Sequence, residues 1–176
     1  MKRHTGFFAL VVIVASQLAF AQPDTPPALD RAKVVAAATD VIRQAHHATF
    51  VTISSDKHPD ARIVTPAAPD QNLEIWISTL KTSRKIAQLR KDPRATMLYF
   101  DQANMAYVTL IGKITIVSDP AEMQKHWQAE WAPFYPDGTK SPGFIMMRFV
   151  PDRVEVVSRQ HKLMPDPWGL AILKLK

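Results

Sequence analysis

A chain of 176 residues, 47% apolar and 22% charged, is long enough for one domain with a real core and short for two. Having no cysteine, it can form no disulfide, no thiol nucleophile and no Cys-based metal or iron–sulfur site. Five scattered glycines exclude GxGxxG and Walker-type nucleotide loops, and a formal charge of +6, dispersed rather than blocked, leaves no footprint for nucleic acid.

Residues 1–21 read as a secretory signal peptide. Lys2 and Arg3 form the basic start, Phe7 to Ala15 the apolar run, and Ala19-Phe20-Ala21 a small-x-small site with cleavage after Ala21. The run falls short of the roughly 20 residues of a membrane span, so no stable membrane insertion is expected once the leader is removed. The mature chain is expected to be exported, to the periplasm, and loss of Lys2 and Arg3 takes its formal charge from +6 to +4. Residues 22–28 are a Pro-rich lead-in in which Thr25-Pro26-Pro27 suits a helix start.

Val34, Val35, Ala38, Val41, Ile42 and Ala45 recur at three- and four-residue steps and predict an amphipathic helix over Leu29–His46. His46 and His47 end it. Adjacent histidines project about 100° apart around a helix, which disfavours one shared metal ion. Thr49–Ser54 and Ala61–Thr65 alternate as two strands about an Asp56–Asp60 turn, and Leu73–Ser78 reads as a third. Arg62 is either a solvated edge charge or part of an anion site. The second geometry arises if strands two and three pair as a hairpin through Pro69–Asn72.

After the third strand comes Thr79-Leu-Lys-Thr-Ser-Arg-Lys85, ahead of a helical step from Ile86 to Leu89 that stops at Asp92-Pro93. Thr82 is the expected N-cap. A helix start presents outward amides and the positive end of its dipole. Thr82, Ser83, Arg84 and Lys85 add two hydroxyls and two cations, a donor set for an anion such as a phosphate monoester. Cations there oppose the dipole, so stability alone favours acidic residues. Capping hydroxyls and solvent-facing basic residues are common, however, and the residues alone leave both readings open.

Ala95–Asp101 is a further strand, and Met105–Val117 a long one with a bulge or bend predicted at Gly112. Asp119-Pro120-Ala121-Glu122 starts a helix to about Trp131, with Met123, Trp127 and Trp131 on one face as core packing or as a cofactor wall. Gly143–Val150 and Val154–Ser158 read as two strands joined through Pro151-Asp152, and no periodicity marks the tail from Arg159. Seven or so strands, mostly hairpin-linked, with three helices predict a mainly β barrel with peripheral helices. No GxSxG, HExxH or carboxylate box occurs, and His58, His126 and His161 are scattered, so no metal site is expected and a bound cofactor fits better as carrier of any chemistry.

The order and spacing of Arg62-Ile63-Val64, Ser78-Thr79, Ser83-Arg84-Lys85, Asp92-Pro93 and Tyr107–Gly112 carry a resemblance. Over Leu29–Arg159 the chain resembles the pyridoxamine 5'-phosphate oxidase-like, FMN-binding split-barrel proteins, and within them the general-stress-protein branch. The resemblance implies a split β-barrel over 29–159, a C-terminal tail over 160–176, a homodimer, and FMN at the subunit interface. It places the flavin phosphate on Arg62, Ser83, Arg84 and Lys85 beside Thr82, and the ribityl chain and ring on Ile63, Val64, Ser78 and Thr79. Tyr107 stands where the oxidase has Gln, and Trp131 is a candidate wall for the ring. Glu155-Val156-Val157 replaces the oxidase's Glu-x-Trp, and its substrate-gripping Arg-Leu-His-Asp-Arg run has no counterpart, so vitamin B6 oxidation is not implied. An FMN-dependent oxidoreductase acting on a small-molecule substrate or electron donor is implied. The alternatives are a non-catalytic flavin-binding stress or carrier protein, and a haem-binding relative using His46, His47, His126 or His161 as axial ligand.

Overall fold

The computed structural model describes residues 29–164 and 169–175. The predicted signal peptide and Pro-rich lead-in lie outside them. Helix α1, Arg31–Ala45, is capped by Asp30, whose carboxylate accepts from the amides of Ala32 and Lys33 at 2.9 and 3.4 Å. Its buried face is Val34, Ala37, Ala38, Val41 and Ile42: four of these belong to the predicted stripe, Ala37 joins them, and Val35 and Ala45 are only half-buried.

The strands follow as β1 (Ala48–Ile53), β2 (Pro59–Val64), β3 (Ile75–Leu80), β4 (Arg94–Asp101), β5 (Ala106–Val117), β6 (Phe144–Val157) and β7 (Ala171–Lys174). Helix α2 (Arg84–Lys91) links β3 to β4, and α3 (Pro120–Lys125) follows β5. All pairings are antiparallel, in one seven-stranded sheet of order β2-β1-β4-β5-β6-β3 with β7 beside β6. The mainly β architecture with peripheral helices therefore holds, and the sheet continues past Arg159 through β7.

Strands β2 and β3 do not pair as the hairpin on which the sequence conditions the anion-site alternative for Arg62; each is an edge of the sheet. Pro66 and Pro69 lie in the connection, where each removes a backbone donor that a ladder would need. That connection instead crosses to the far side, held by Ala67 N–H to Trp76 O at 2.8 Å and Asp70 N–H to Glu74 O at 3.1 Å. There β3 pairs with β6, from Ile75 opposite Phe149 to Leu80 opposite Phe144.

The two strands predicted over Gly143–Val150 and Val154–Ser158 are one, β6. Pro151-Asp152 is absorbed as a bulge, where the register with β5 passes from Ile111–Arg153 to Gly112–Pro151. Gly112 is the residue that permits it, since a Cβ there would lie 2.2 Å from the carbonyl oxygen of Val150. Helix α3 stops at Lys125, shorter than predicted, and a 3-10 turn over Ala129–Trp131 follows. The change of path brings Trp127 edge-on to Trp131 at 6.0 Å and to Tyr135 at 6.4 Å, so the Met123/Trp127/Trp131 stripe is core packing.

Gly112→Ala must displace backbone, not a flexible side chain. It is expected to lower unfolding free energy by about 1–3 kcal/mol in a urea titration, whereas an unchanged midpoint would show that the β5–β6 bend yields freely.

Candidate functional site

The first half of the site is a consequence of strand register. Asp60 lies opposite Thr52 and Arg62 opposite Phe50, so two side chains of β2, two residues apart, share one face with their partners on β1. Helix α2 packs over β1, burying Ile86 and Leu89, and the same face carries Gln88 into the interior at 7% exposure. A buried amide must find partners, and Gln88 finds three. Its oxygen accepts from the Thr52 hydroxyl at 2.7 Å and from Arg62 Nη2 at 3.2 Å, while its nitrogen donates to Asp60 Oδ2 at 2.5 Å. Arg62 also donates to Thr52 Oγ1 at 2.5 Å and to the Phe50 carbonyl at 3.4 Å, with its guanidinium 5.9 Å from the Phe50 ring.

The second half is the start of α2. Ser83, not Thr82, is the N-cap residue, because the Ser83 amide still closes a turn on the Leu80 carbonyl at 3.0 Å and the helix begins one residue later. The Ser83 hydroxyl caps nothing; it accepts from Thr79 Oγ1 at 3.3 Å. Thr82 is exposed and one step outside the helix. No acidic residue occupies the first turn. Arg84 and Lys85 stand there instead, beside amides that have no partner within the helix.

The two halves meet on one oxygen. Arg62 Nη2 lies 3.7 Å and Arg84 Nε 3.4 Å from Asp60 Oδ2. Burial pulls the Lys85 ammonium below its ordinary value, and the nearby Arg62 charge pulls it further. Burial likewise lowers Arg62; Asp60 opposes that shift and Arg84 adds to it. Arg62 therefore lies within the field of both Arg84 and Lys85, and Asp60 is the carboxylate paired with the two arginines. Such an arrangement can hold an anion. A groove of about 990 Å³ opens beside it, bounded by Asp60, Arg84 and Gln88 and, further out, by the carboxylates of Asp56 and Asp92 among Lys57, Lys91 and Arg94.

The remaining predicted residues are spread over other elements. Ile63 and Val64 lie on edge β2, Ser78 and Thr79 on edge β3, the first exposed, Val64 and Ser78 half-buried and Thr79 buried. Tyr107 is half-buried on β5, opposite Phe100. Trp131 does not stand as an open wall: it is 2% exposed in the aromatic cluster, its indole N–H donating to the Thr65 carbonyl at 3.2 Å. Sequence reasoning missed Thr52, Asp60 and Gln88. A signal was present in Gln88, a polar residue between Ile86 and Leu89 on the face that must be buried.

Among the described residues no group of three or more His, Asp or Glu side chains is arranged to hold a metal ion. The histidines have other work. His161 Nδ1 pairs with the Ser158 hydroxyl and its Nε2 donates to the Asp40 carboxylate, both at 2.9 Å, which ties the end of β6 to α1. Ser158 is 2% exposed and pairs through its backbone with Leu163, which makes this Ser–His–Asp line a clamp. His126 stacks on Trp76 at 3.8 Å.

A family model described as "Pyridoxamine 5'-phosphate oxidase like" matches residues 33–173. Similar solved structures include a protein related to general stress protein 26 from Clostridium acetobutylicum, with TM-score 0.70 and 18% identity over 83% of this chain and 96% of that one. An FMN binding, pyridoxamine 5'-phosphate oxidase-related protein from Nostoc punctiforme superposes with TM-score 0.56 at 14% identity, covering 81% and 93%. A heme binding protein from Mycobacterium smegmatis gives TM-score 0.62 at 16% identity, covering 84% and 59%. These likenesses show the split-barrel fold. No curated protein matches.

Because the folded-state value of Lys85 is lowered, its charge disfavours folding at neutral pH, and stability recovers as pH rises through that lowered value. Arg62→Ala removes one of the two causes, so the Lys85 titration followed by NMR of its ε-carbon should move up part of the way toward the ordinary lysine value. An unmoved titration would place the two charges outside each other's field.

Proposed function

The chain belongs to the pyridoxamine 5'-phosphate oxidase-like family, and on that premise we propose that it binds FMN and works as a flavin-dependent oxidoreductase on a small-molecule substrate or electron donor. The observation that carries this is the convergence of Arg62 and Arg84 on Asp60, with Lys85 in the first turn of α2 close enough to feel the Arg62 charge. A phosphate monoester brings about two negative charges and several acceptor oxygens. Three cations against one carboxylate leave a surplus that suits it. Arg62, Ser83, Arg84 and Lys85 anchor the phosphate, and the Ser83 hydroxyl, free of capping duty, is available to donate. Ile63, Val64, Ser78 and Thr79 lie on the two edge strands, where backbone groups are not all taken up by a neighbouring strand, and they suit the ribityl chain and ring. FMN, when bound, supplies the electron and hydride chemistry. The protein's part is to fix the phosphate, orient the ring and keep water from it.

The same reading includes a homodimer. Strand β4 buries Ala95, Met97 and Tyr99 on one side, yet presents Leu98 and Phe100 on the other at 38% and 49% exposure. Ile63, 67% exposed, lies in the same row, since Thr49 is the register partner of both Ile63 and Leu98. A contiguous apolar patch of this kind on a sheet marks an interaction surface, and a second copy covering it would close FMN between subunits. The leader further supports an exported, periplasmic protein, for which the mass of the mature chain, starting at Gln22, is the check.

The haem reading has less support. His161 has both ring nitrogens engaged, His126 is stacked, and His47 Nδ1 is bonded to Thr65 Oγ1 at 3.2 Å. A non-catalytic flavin carrier is separated from an enzyme by reoxidation of the reduced protein with a panel of acceptors: turnover marks the enzyme, stoichiometric exchange the carrier.

Arg62→Ala or Lys85→Ala is expected to weaken FMN binding by about 1.5–3 kcal/mol in a fluorescence titration, the worth of one charged hydrogen bond; unchanged affinity in both would remove the phosphate from this site. Phe100→Asp is expected to turn a dimer into a monomer in sedimentation velocity, and a dimer that persists would place the contact elsewhere.

A further inference from the structure

Asp60 stands inside the cation cluster, and its position differs from that of an ordinary surface counter-ion. Gln88 Nε2 at 2.5 Å, Arg84 Nε at 3.4 Å and Arg62 Nη2 at 3.7 Å all face the same atom, Asp60 Oδ2. One hydrogen-bond donor and two guanidinium charges at ion-pair distance around a single oxygen form the surroundings that one oxygen of a bound phosphate would seek. The side chain is 29% exposed on an edge strand, so it has solvent to turn into when another anion arrives. Gln88 itself is fixed, with its amide oxygen held by Thr52 and Arg62.

We propose that the Asp60 carboxylate is a built-in stand-in for the ligand phosphate: it occupies an oxygen position in the cradle, keeps the cations together when no ligand is bound, and competes with the phosphate for the same donors. This deepens the FMN reading and rests on it for the identity of the ligand. Two consequences follow from the electrostatics. The apo-protein carries its clustered cations without an external anion, because one internal negative charge offsets part of their mutual repulsion. The phosphate is held less tightly than three cations would otherwise hold it, because binding must turn the carboxylate out or tolerate a like charge a few ångströms away. The site is therefore one for an exchangeable phosphate monoester, picked up and released, not one that locks its cofactor in.

Asp60→Asn keeps the shape and removes the charge; Asp60→Ala removes both and guards against an asparagine that simply rebuilds the contacts. Three probes are titrated against wild type and both variants: FMN, riboflavin (which has the ring but no phosphate) and inorganic phosphate by calorimetry. The proposal predicts FMN binding tighter by about tenfold or more in Asp60→Asn, from loss of a like charge at close range, with a slower FMN off-rate. Inorganic phosphate should tighten in the same direction, and riboflavin should not change. Weaker FMN and phosphate binding in both variants would overturn it, because Asp60 would then assist the bound ligand and not compete with it. Unchanged affinities would overturn it equally. If wild type binds inorganic phosphate but not FMN, the FMN reading fails while the phosphate arm still decides the role of Asp60.

Discussion

The structure around the site depends on one constraint: a guanidinium placed on the inner face of a short edge strand must be satisfied where water reaches it poorly. A partly buried charge is tolerated when its hydrogen bonds are made and costs several kcal/mol when they are not. Arg62 meets that requirement through Thr52, the Phe50 carbonyl and Gln88. Gln88 is on another element, so the requirement fixes how α2 lies on β1. The N-terminus of α2 thereby comes to rest with Arg84 and Lys85 beside Arg62. Position of the helix and charge of the site are one arrangement.

The rest of the barrel serves this placement. Leaving β2 and β3 as edges keeps two strands with unsaturated backbone on either side of the split, and the crossover from Thr65 to Glu74 spans it. The bend at Gly112 and Pro151 curls β5 and β6 so that a single long strand can pair with β5, β3 and β7. Met123, Trp131, Tyr135 and Phe144 fill the end of the barrel with aromatic packing. The outer face of β1, β2 and β4 carries the exposed Ile63, Leu98 and Phe100.

Periodicity made α1 legible, and the glycine in an alternating strand pointed correctly to the bulge. Those signals are local and survive in any context. What failed was non-local. Whether Pro151-Asp152 ends a strand or bulges within one is decided by Gly112, its partner across the ladder from a distant part of the chain. The partner of β3 could not be read from its own residues, because both hairpin and crossover satisfy the same alternation. The cation cluster was legible in part: Ser83, Arg84 and Lys85 are adjacent in the chain, while Arg62 reads as either an edge charge or part of the anion site until the family resemblance joins it to them. Asp60 and Gln88 were invisible as members, since an acidic residue near a turn and a glutamine in a helix have ordinary roles until a fold brings them together. The cap moved from Thr82 to Ser83 because two hydroxyls in succession offer equal chemistry and tertiary packing chooses between them.

The central claim, that the strand-borne arginine and the first turn of α2 together grip a phosphate, is tested most directly by a crystal structure of the mature protein grown with FMN. The account predicts density for the phosphate within hydrogen-bonding distance of Arg62, Lys85 and the Ser83 hydroxyl, with the ring running along the edge strands. A phosphate bound elsewhere, or a flavin held with Arg62 and Lys85 both free of it, would contradict it.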